Sequence, residues 1–287
     1  MVQDGSLQLS VEYLQPAVER RLAFRHRRGA VPAVMFLPGL RSDMDGAKAT
    51  ALAAHCAATG RGFLSLDYRG HGRSSGRFED GSVGDWLTDA LAVLDHSAEP
   101  ALVLAGSSMG GWLMLLMALA RPEKVKGLVG IAAAPDFTED IMLGHATPEQ
   151  RQALARDGII RVPSAYGEPL LVTRRLIEEG RRHLLLRGPV AVHCPVHLLH
   201  GQLDLDVPWA TALRLAARLE SPAVTVELVK DGDHRLSRDL DLRRIVAAVE
   251  RVISLATTGR PTGRRRQRGP AGPRGRSDRP DARRARA

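Results

Sequence analysis

Hydrophobic and polar positions along this chain alternate between two periods. Short runs at 33–37, 62–67, 101–105, 125–133, 195–199 and 224–229 are apolar at nearly every position. Such runs are expected of strands buried on both faces. Between and after them, 46–59, 86–95, 111–120, 209–219 and 240–255 carry helix formers or helical spacing. Two further strands are predicted near the start, at 6–14 and 20–26. The second alternates apolar and basic residues, as an edge strand does. Strands alternating with helices imply a mainly parallel sheet with helices on both faces, an α/β fold.

The alternation breaks between 136 and 192. Thr147-Pro148-Glu149-Gln150 offers a cap, a proline at the first helical position and a glutamine three residues after the cap. A second helix is predicted over 170–179, stopping at Gly180. Residues 136–192 therefore read as a small helical cap inserted after the sixth predicted strand, within a domain spanning 1–256. Residues 257–287 hold no Leu, Ile, Val or aromatic residue and are expected to be a disordered Arg/Gly/Pro-rich tail.

The formal charge of +9 suggests a nucleic-acid partner until it is located. Eleven arginines and two aspartates of the tail supply the whole excess, so residues 1–256 are balanced. With no aromatic for base stacking, the tail is expected to be solvated, with at most weak nucleic-acid binding. No apolar run approaches the ~18 residues of a membrane span. The first ten residues have neither the basic nor the apolar region of a signal peptide, so the expected location is cytoplasmic. Cys56 and Cys194 lack redox or metal spacing and read as small buried thiols.

Chemistry enters at Gly106-Ser107-Ser108-Met109-Gly110, which matches G-x-S-x-G between a buried strand and an apolar helix. Strand, sharp turn and helix form the context of a nucleophile elbow, which lifts the serine hydroxyl to the carboxyl edge of a sheet. Gly72-Arg73-Ser74-Ser75-Gly76 matches as well, but in polar surroundings with no helix behind it. It reads as a surface loop. A serine hydroxyl needs a base, and the base needs a carboxylate. His234 follows the last predicted strand in a polar loop. The acid should precede it. The spacing of His200-Gly201-Gln202-Leu203-Asp204-Leu205-Asp206-Val207-Pro208 favours Asp204, with Asp206 and Asp136 as alternatives. Asp206 is expected to cap the helix led by Trp209, and Asp136 to serve the first turn of the cap. A tetrahedral intermediate needs at least two donors, and the Met109 N–H and the Leu40 N–H are the candidates.

Other features carry less. His193 and His197 on one strand would stand about 13 Å apart at ~3.3 Å per residue, too far to share an ion, so no metal is expected. His193 is expected to close the cap, His200 to belong to the turn after its strand, and His71 to shape the sheet edge. Arg174 and Arg175 read as a solvated helix face.

The elbow, Asp67-Tyr68-Arg69-Gly70-His71-Gly72, the His200–Pro208 stretch and Asp233-His234-Arg235 together resemble the α/β-hydrolase superfamily. Ala120-Arg121-Pro122-Glu123-Lys124-Val125 and Val207-Pro208-Trp209 narrow the resemblance to mitochondrial palmitoyl-protein thioesterases, also called mycophenolic acid acyl-glucuronide esterases, and their bacterial relatives. It runs from about 34 to 255. It implies an α/β-hydrolase fold and an esterase or thioesterase, with Ser108, Asp204 and His234 as triad and no metal or organic cofactor. The expected partner is a small-molecule or acylated-protein ester or thioester. A peptidase or lipase of the same fold and a non-catalytic binding protein are the other readings. The oligomeric state is left open.

Overall fold

The computed structural model describes residues 9–164 and 167–258. Most of the expected tail lies outside the described residues, as does the start of the first predicted strand.

Eight strands form one sheet: β1 (Glu12–Ala17), β2 (Arg20–Arg27), β3 (Ala30–Leu37), β4 (Arg61–Leu66), β5 (Leu102–Ser107), β6 (Val125–Ile131), β9 (Val196–Gly201) and β10 (Val224–Val229). Their spatial order is β1-β2-β4-β3-β5-β6-β9-β10, antiparallel only at β1-β2 and β2-β4. The edge strands are therefore β1 and β10. β2 pairs on both sides and buries Leu22 and Phe24, contrary to its expected edge position. Of its arginines only Arg21 is exposed; Arg25 is buried and pairs with Asp45 at 2.6 Å, while the apolar residues of β2 meet the core.

Period-two packing explains the continuous apolar runs. Met35, Leu37, Leu102 and Leu104 enter one core, with α2 (Val83–Ser97), α3 (Met109–Ala120) and α6 (Ala210–Arg218). Val34, Phe36, Val103 and Ala105 enter the other, with α1 (Ala47–Ala58) and α7 (Asp239–Thr258). The last helix reaches Thr258, so the first two residues assigned to the tail are helical.

The insertion is not purely helical. A π-helical turn (Thr138–Leu143) and α4 (Pro148–Asp157) lead into a hairpin of β7 (Ile159–Ser164) and β8 (Gly167–Thr173), followed by α5 (Arg174–Arg181). The capping box of α4 forms as expected, between Thr147 and Gln150. The second helix starts later than expected, because the Thr173 side chain accepts from the Leu176 N–H and caps α5. Residues 170–173 instead pair with 159–162 in register. Leu154, Ile160, Val172 and Ile177 form a small core within the insertion. α5 then packs on the π-helical turn so closely that a Cβ at Gly180 would lie 2.3 Å from Thr138 Oγ1.

The insertion is fastened to α2 and α3, and to itself, by polar contacts. Arg175 reaches Asp85 on α2 at 2.6 Å, and the Trp112 indole N–H donates to the His183 carbonyl at 3.0 Å. Asp136 is fully buried, and its two oxygens accept the N–H groups of Leu185 and Leu186 at 2.7 and 2.9 Å. Its carboxylate thus ties the two ends of the insertion together, while its backbone carbonyl accepts the N–H groups of Glu139 and Asp140 in the first turn at 3.0 and 2.9 Å. His193 does not close the insertion: it is exposed and faces Glu220 at 3.8 Å.

Candidate active site

Register brings the carboxyl ends of the central strands level. Leu37 pairs with Gly106, Ser107 with Ile131, Ile131 with Leu199, and Gly201 with Val229. The loops after β3, β5, β9 and β10 therefore open on one edge, where ligands bind in open α/β sheets. The chain runs from β3 to β4 on one side and returns to β5 on the other. The loop after β3 thus flanks the turn after β5.

Ser108 occupies that turn with φ 53° and ψ −117°. Such a conformation is costly for a residue with a Cβ and persists only where its surroundings impose it. Here the Ser108 N–H donates to the Ile131 carbonyl at 2.9 Å, and its own carbonyl accepts from Gly111 at 2.9 Å and Ala134 at 3.0 Å. The motif's glycines are required by contact. A Cβ on Gly106 would lie 2.2 Å from the Gly110 carbonyl oxygen, and one on Gly110 2.0 Å from that of Leu37.

His234 Nε2 stands 3.1 Å from Ser108 Oγ, and His234 Nδ1 stands 2.8 Å from Asp204 Oδ2. The Nδ1–H donates to the carboxylate, leaving Nε2 as acceptor of the serine O–H hydrogen bond. Two contacts hold the His234 loop against the Asp204 loop. The Leu203 N–H donates to the Gly232 carbonyl at 2.9 Å, and a Cβ on Gly201 would strike that same carbonyl oxygen at 2.2 Å. On the other side, Lys48 Nζ donates to the Arg235 carbonyl at 2.5 Å.

Asp204 is buried but fully engaged. Its Oδ1 accepts from the N–H groups of Asp206 and Val207 at 2.9 and 2.8 Å. Its Oδ2 accepts from both His234 and His200, the latter at 3.0 Å. Burial pushes its carboxyl up, but the hydrogen bonds from His200 and His234 outweigh burial and hold it well below the ordinary carboxylate range. Asp136 is the reverse case. Burial outweighs its two backbone bonds and its pKa is raised. Asp204, Asp206 and His234 have donor atoms within 4.8 Å of one another, but the Asp204 oxygens are already taken by four N–H groups.

The Met109 N–H opens α3, where an amide has no partner within the helix and the helix dipole is positive. Leu40 follows Gly39, whose Cα is so close to the elbow that a Cβ would lie 3.3 Å from Ser108 Cβ. Both residues line a cavity of about 250 Å³ with Ser108 and His234 at its floor. Phe137, Ile141, Met142, Val162, Leu170 and Val172 from the insertion give it apolar walls, and His145, Gln150 and Asp206 supply polar points.

Several sequence expectations find other places. No side chain caps α6, whose N-cap is Trp209, so Asp206 is not its cap; it lines the cavity instead. His197 is buried against Glu227 at 3.1 Å. His71 is buried among Tyr68, Phe78 and Trp86, and burial lowers its pKa. Burial raises the Cys56 thiol to about 12 and that of Cys194, which is only half-buried, to about 11. Sequence reasoning missed the cavity walls on the π-helical turn and hairpin, and the bond from His200 to Asp204. The apolar Ile141-Met142-Leu143 was the one local signal of the former.

The profile of the family described as "Serine aminopeptidase, S33" matches residues 30–162. The mouse protein named palmitoyl-protein thioesterase ABHD10, mitochondrial, is 39% identical over 252 residues, covering 87% of this chain and 84% of the relative. The human protein of that name is 37% identical over 251 residues, with 87% and 82% covered. The solved structure of the mouse alpha/beta hydrolase domain-containing protein 10 superposes with a TM-score of 0.80 at 38% identity, covering 85% of this chain and 98% of that one. These relatives overturn the expected cytoplasmic location, since their names place them in mitochondria. That expectation rested on the character of ten terminal residues, and a folded core carries no record of its compartment. Among the described residues no helix is long and apolar enough to cross a membrane. With its strand order, its elbow and this similarity over most of its length, the chain belongs to the ABHD10 palmitoyl-protein thioesterase family of α/β-hydrolases, an esterase and thioesterase family of serine hydrolases.

Proposed function

We propose that Ser108 is the nucleophile, His234 its general base and Asp204 the acid that orients the base, acting on the thioester of an S-acylated protein or a small acyl ester. The observation that carries this reading is the chain of contacts from Ser108 Oγ to His234 Nε2 at 3.1 Å and from His234 Nδ1 to Asp204 at 2.8 Å, at the floor of an apolar cavity. The acyl group lies along the walls supplied by Phe137, Ile141, Met142, Val162, Leu170 and Val172. Ser108 Oγ attacks the carbonyl carbon while His234 Nε2 takes its proton. The N–H groups of Met109 and Leu40 receive the oxyanion. The carbon–sulfur or carbon–oxygen bond breaks, and the leaving group takes the proton from His234. Water then gives a proton to His234 and its oxygen to the acyl carbon. Collapse of the second intermediate frees the carboxylic acid and returns the proton to Ser108. The names of the relatives support a protein thioester as substrate. Residues 136–192 act as the cap that walls the acyl site, and the domain ends with α7.

A panel of S-palmitoyl and S-acetyl peptides, 4-nitrophenyl esters and aminoacyl anilides tests the substrate reading. Thioesters and esters are expected to be cleaved, with anilides left intact. Faster cleavage of the anilides would overturn it in favour of the peptidase suggested by the family profile.

A further inference from the structure

We infer that His200 is a positioning residue of this active site: its Nε2–H holds the second oxygen of Asp204 in the place from which that oxygen orients His234. The inference rests on the triad reading above and adds a fourth member to it.

His200 is fully buried near the end of β9, four residues before Asp204, and it does not line the cavity. Its Nε2 faces two acceptors, Asp204 Oδ2 at 3.0 Å and the Val207 carbonyl at 3.0 Å. Neither can donate, so Nε2 carries the proton and is shared between them. Its Nδ1 is buried with no hydrogen-bond partner among the described residues. A charged ring would leave a second N–H unpaired in the core, so the ring is the neutral Nε2–H tautomer, a donor to Asp204.

The division of labour on Asp204 shows what that donor does. Oδ1 is pinned by the N–H groups of Asp206 and Val207. A carboxylate held at one oxygen can still swing the other about its Cβ–Cγ bond. Oδ2 is the oxygen that His234 needs, and His200 is the other group bonded to it. Through Val207 the same imidazole also ties this oxygen to the loop that pins Oδ1. Sharing Oδ2 between two N–H groups has an electronic consequence too. Without His200, Oδ2 would offer its whole charge to His234 alone. Charged groups facing His234 include the Asp204 and Asp206 carboxylates, within 4.8 Å of its ring, its chain neighbours Asp233 and Arg235, and from α1 Lys48, which donates to the Arg235 carbonyl.

The test replaces His200 by phenylalanine, a ring of similar shape without a donor, and by glutamine, whose amide can donate to both acceptors. His200→Phe is expected to lower kcat on the order of 10- to 100-fold, the cost of losing a comparable supporting bond at metal-bound histidines. KM should be unchanged, because His200 touches no part of the cavity. The acidic limb of kcat/KM, which reports the free base, should move to higher pH. His200→Gln should restore kcat and the limb. In an Asp204→Asn background His200→Phe should cost nothing further in kcat, since both act through one oxygen. Where His200→Phe does not fold, His200→Leu is expected to give the same result. Where neither folds, His200→Asn, whose shorter amide falls short of Oδ2, takes their place. A variant lacking the donor that keeps parental kcat and pH profile overturns the inference, as does a His200→Gln no better than phenylalanine. If Ser108→Ala or Asp204→Asn remains active, the triad reading itself has failed. If both collapse while His200→Phe does not, only the role of His200 is wrong.

Discussion

Residues 72–76 and 106–110 both read G-x-S-x-G, and they do different work. In the first, Ser74 Oγ donates to the Asp67 carbonyl at 2.6 Å and accepts from the Ala23 N–H at 2.8 Å, and Ser75 Oγ accepts from the Arg21 N–H at 2.8 Å. Both hydroxyls join the loop to the start of β2. In the second, the Ser108 hydroxyl faces an imidazole and opens on a cavity. Glycine serves each copy differently. Gly72 and Gly76 have φ of 47° and 96°, whereas Gly106 and Gly110 are needed because backbones cross there. The difference lies in what precedes the serine. Ser108 is the first residue after a strand paired on both sides, so the sheet imposes its conformation and aim. Ser74 stands eight residues beyond β4, where the chain has already turned back.

The largest expected effect tests that contrast directly. Ser108→Ala should lower kcat on the order of 10⁴-fold or more, as triad knock-outs do elsewhere, and abolish fluorophosphonate labelling with little change in melting temperature. Ser74→Ala should keep both kcat and labelling. Loss at Ser74 with survival at Ser108 would reverse the two assignments.

The two buried aspartates give the next comparison. Asp204→Asn should cost roughly 10⁴-fold in kcat, the scale of a triad Asp→Asn change. Asp136→Asn should keep kcat within the parental range but lose about 1–3 kcal/mol of stability, since the amide NH2 that replaces one carboxylate oxygen cannot accept the N–H that oxygen held. Steady-state kinetics beside chemical denaturation read both, and collapse of kcat at Asp136 would move the acid there.

Glycine substitutions should separate the copies next. Gly110→Ala drives a Cβ into the Leu37 carbonyl and is expected to destabilise by about 3 kcal/mol, at the upper end for overpacking, with loss of activity. Gly76→Ala has no atom nearer than 3.5 Å to its Cβ and should cost only about 1 kcal/mol of backbone strain, with activity kept. Equal losses would mean that both crossings are tight.

The smallest effect is in pH. Asp204 is held below its unfolded value, so its contribution to stability is complete above about pH 4 and is lost as pH falls below that. Asp136 is raised, so its contribution is present at low pH and lost as pH rises through its folded value. The fall in melting temperature on acidification below about pH 4 should therefore be shallower in Asp204→Asn than in the parent. An unchanged slope would show that the bonds to Asp204 form equally well with the proton on.

The parts legible beforehand were local or periodic. A run such as Ala101-Leu102-Val103-Leu104-Ala105 is apolar at odd and even positions, which leaves a strand no solvent face. The capping box at Thr147 and Gln150 is likewise complete within four residues. The order of Ser108, Asp204 and His234 along the chain was also readable, because each follows a predicted strand. The hairpin of the cap was not. Residues 170–173 suit a helix or a strand by composition, and their pairing with 159–162 decided between them.

Asp136 and His200 mark where sequence reasoning stops. The side-chain partners of Asp136 are 49 to 51 residues away, and no period or spacing reaches that far. His200 and Asp204 are only four residues apart, yet the side chain of His200 could have turned to solvent, to the sheet or to the acid. The sequence by itself determined the sheet, the elbow and which residue types could react. Tertiary structure decided which buried carboxylate faces the base, because hydrogen-bond partners in a core are chosen by where strands end and loops cross, and those positions exist only once the sheet has formed.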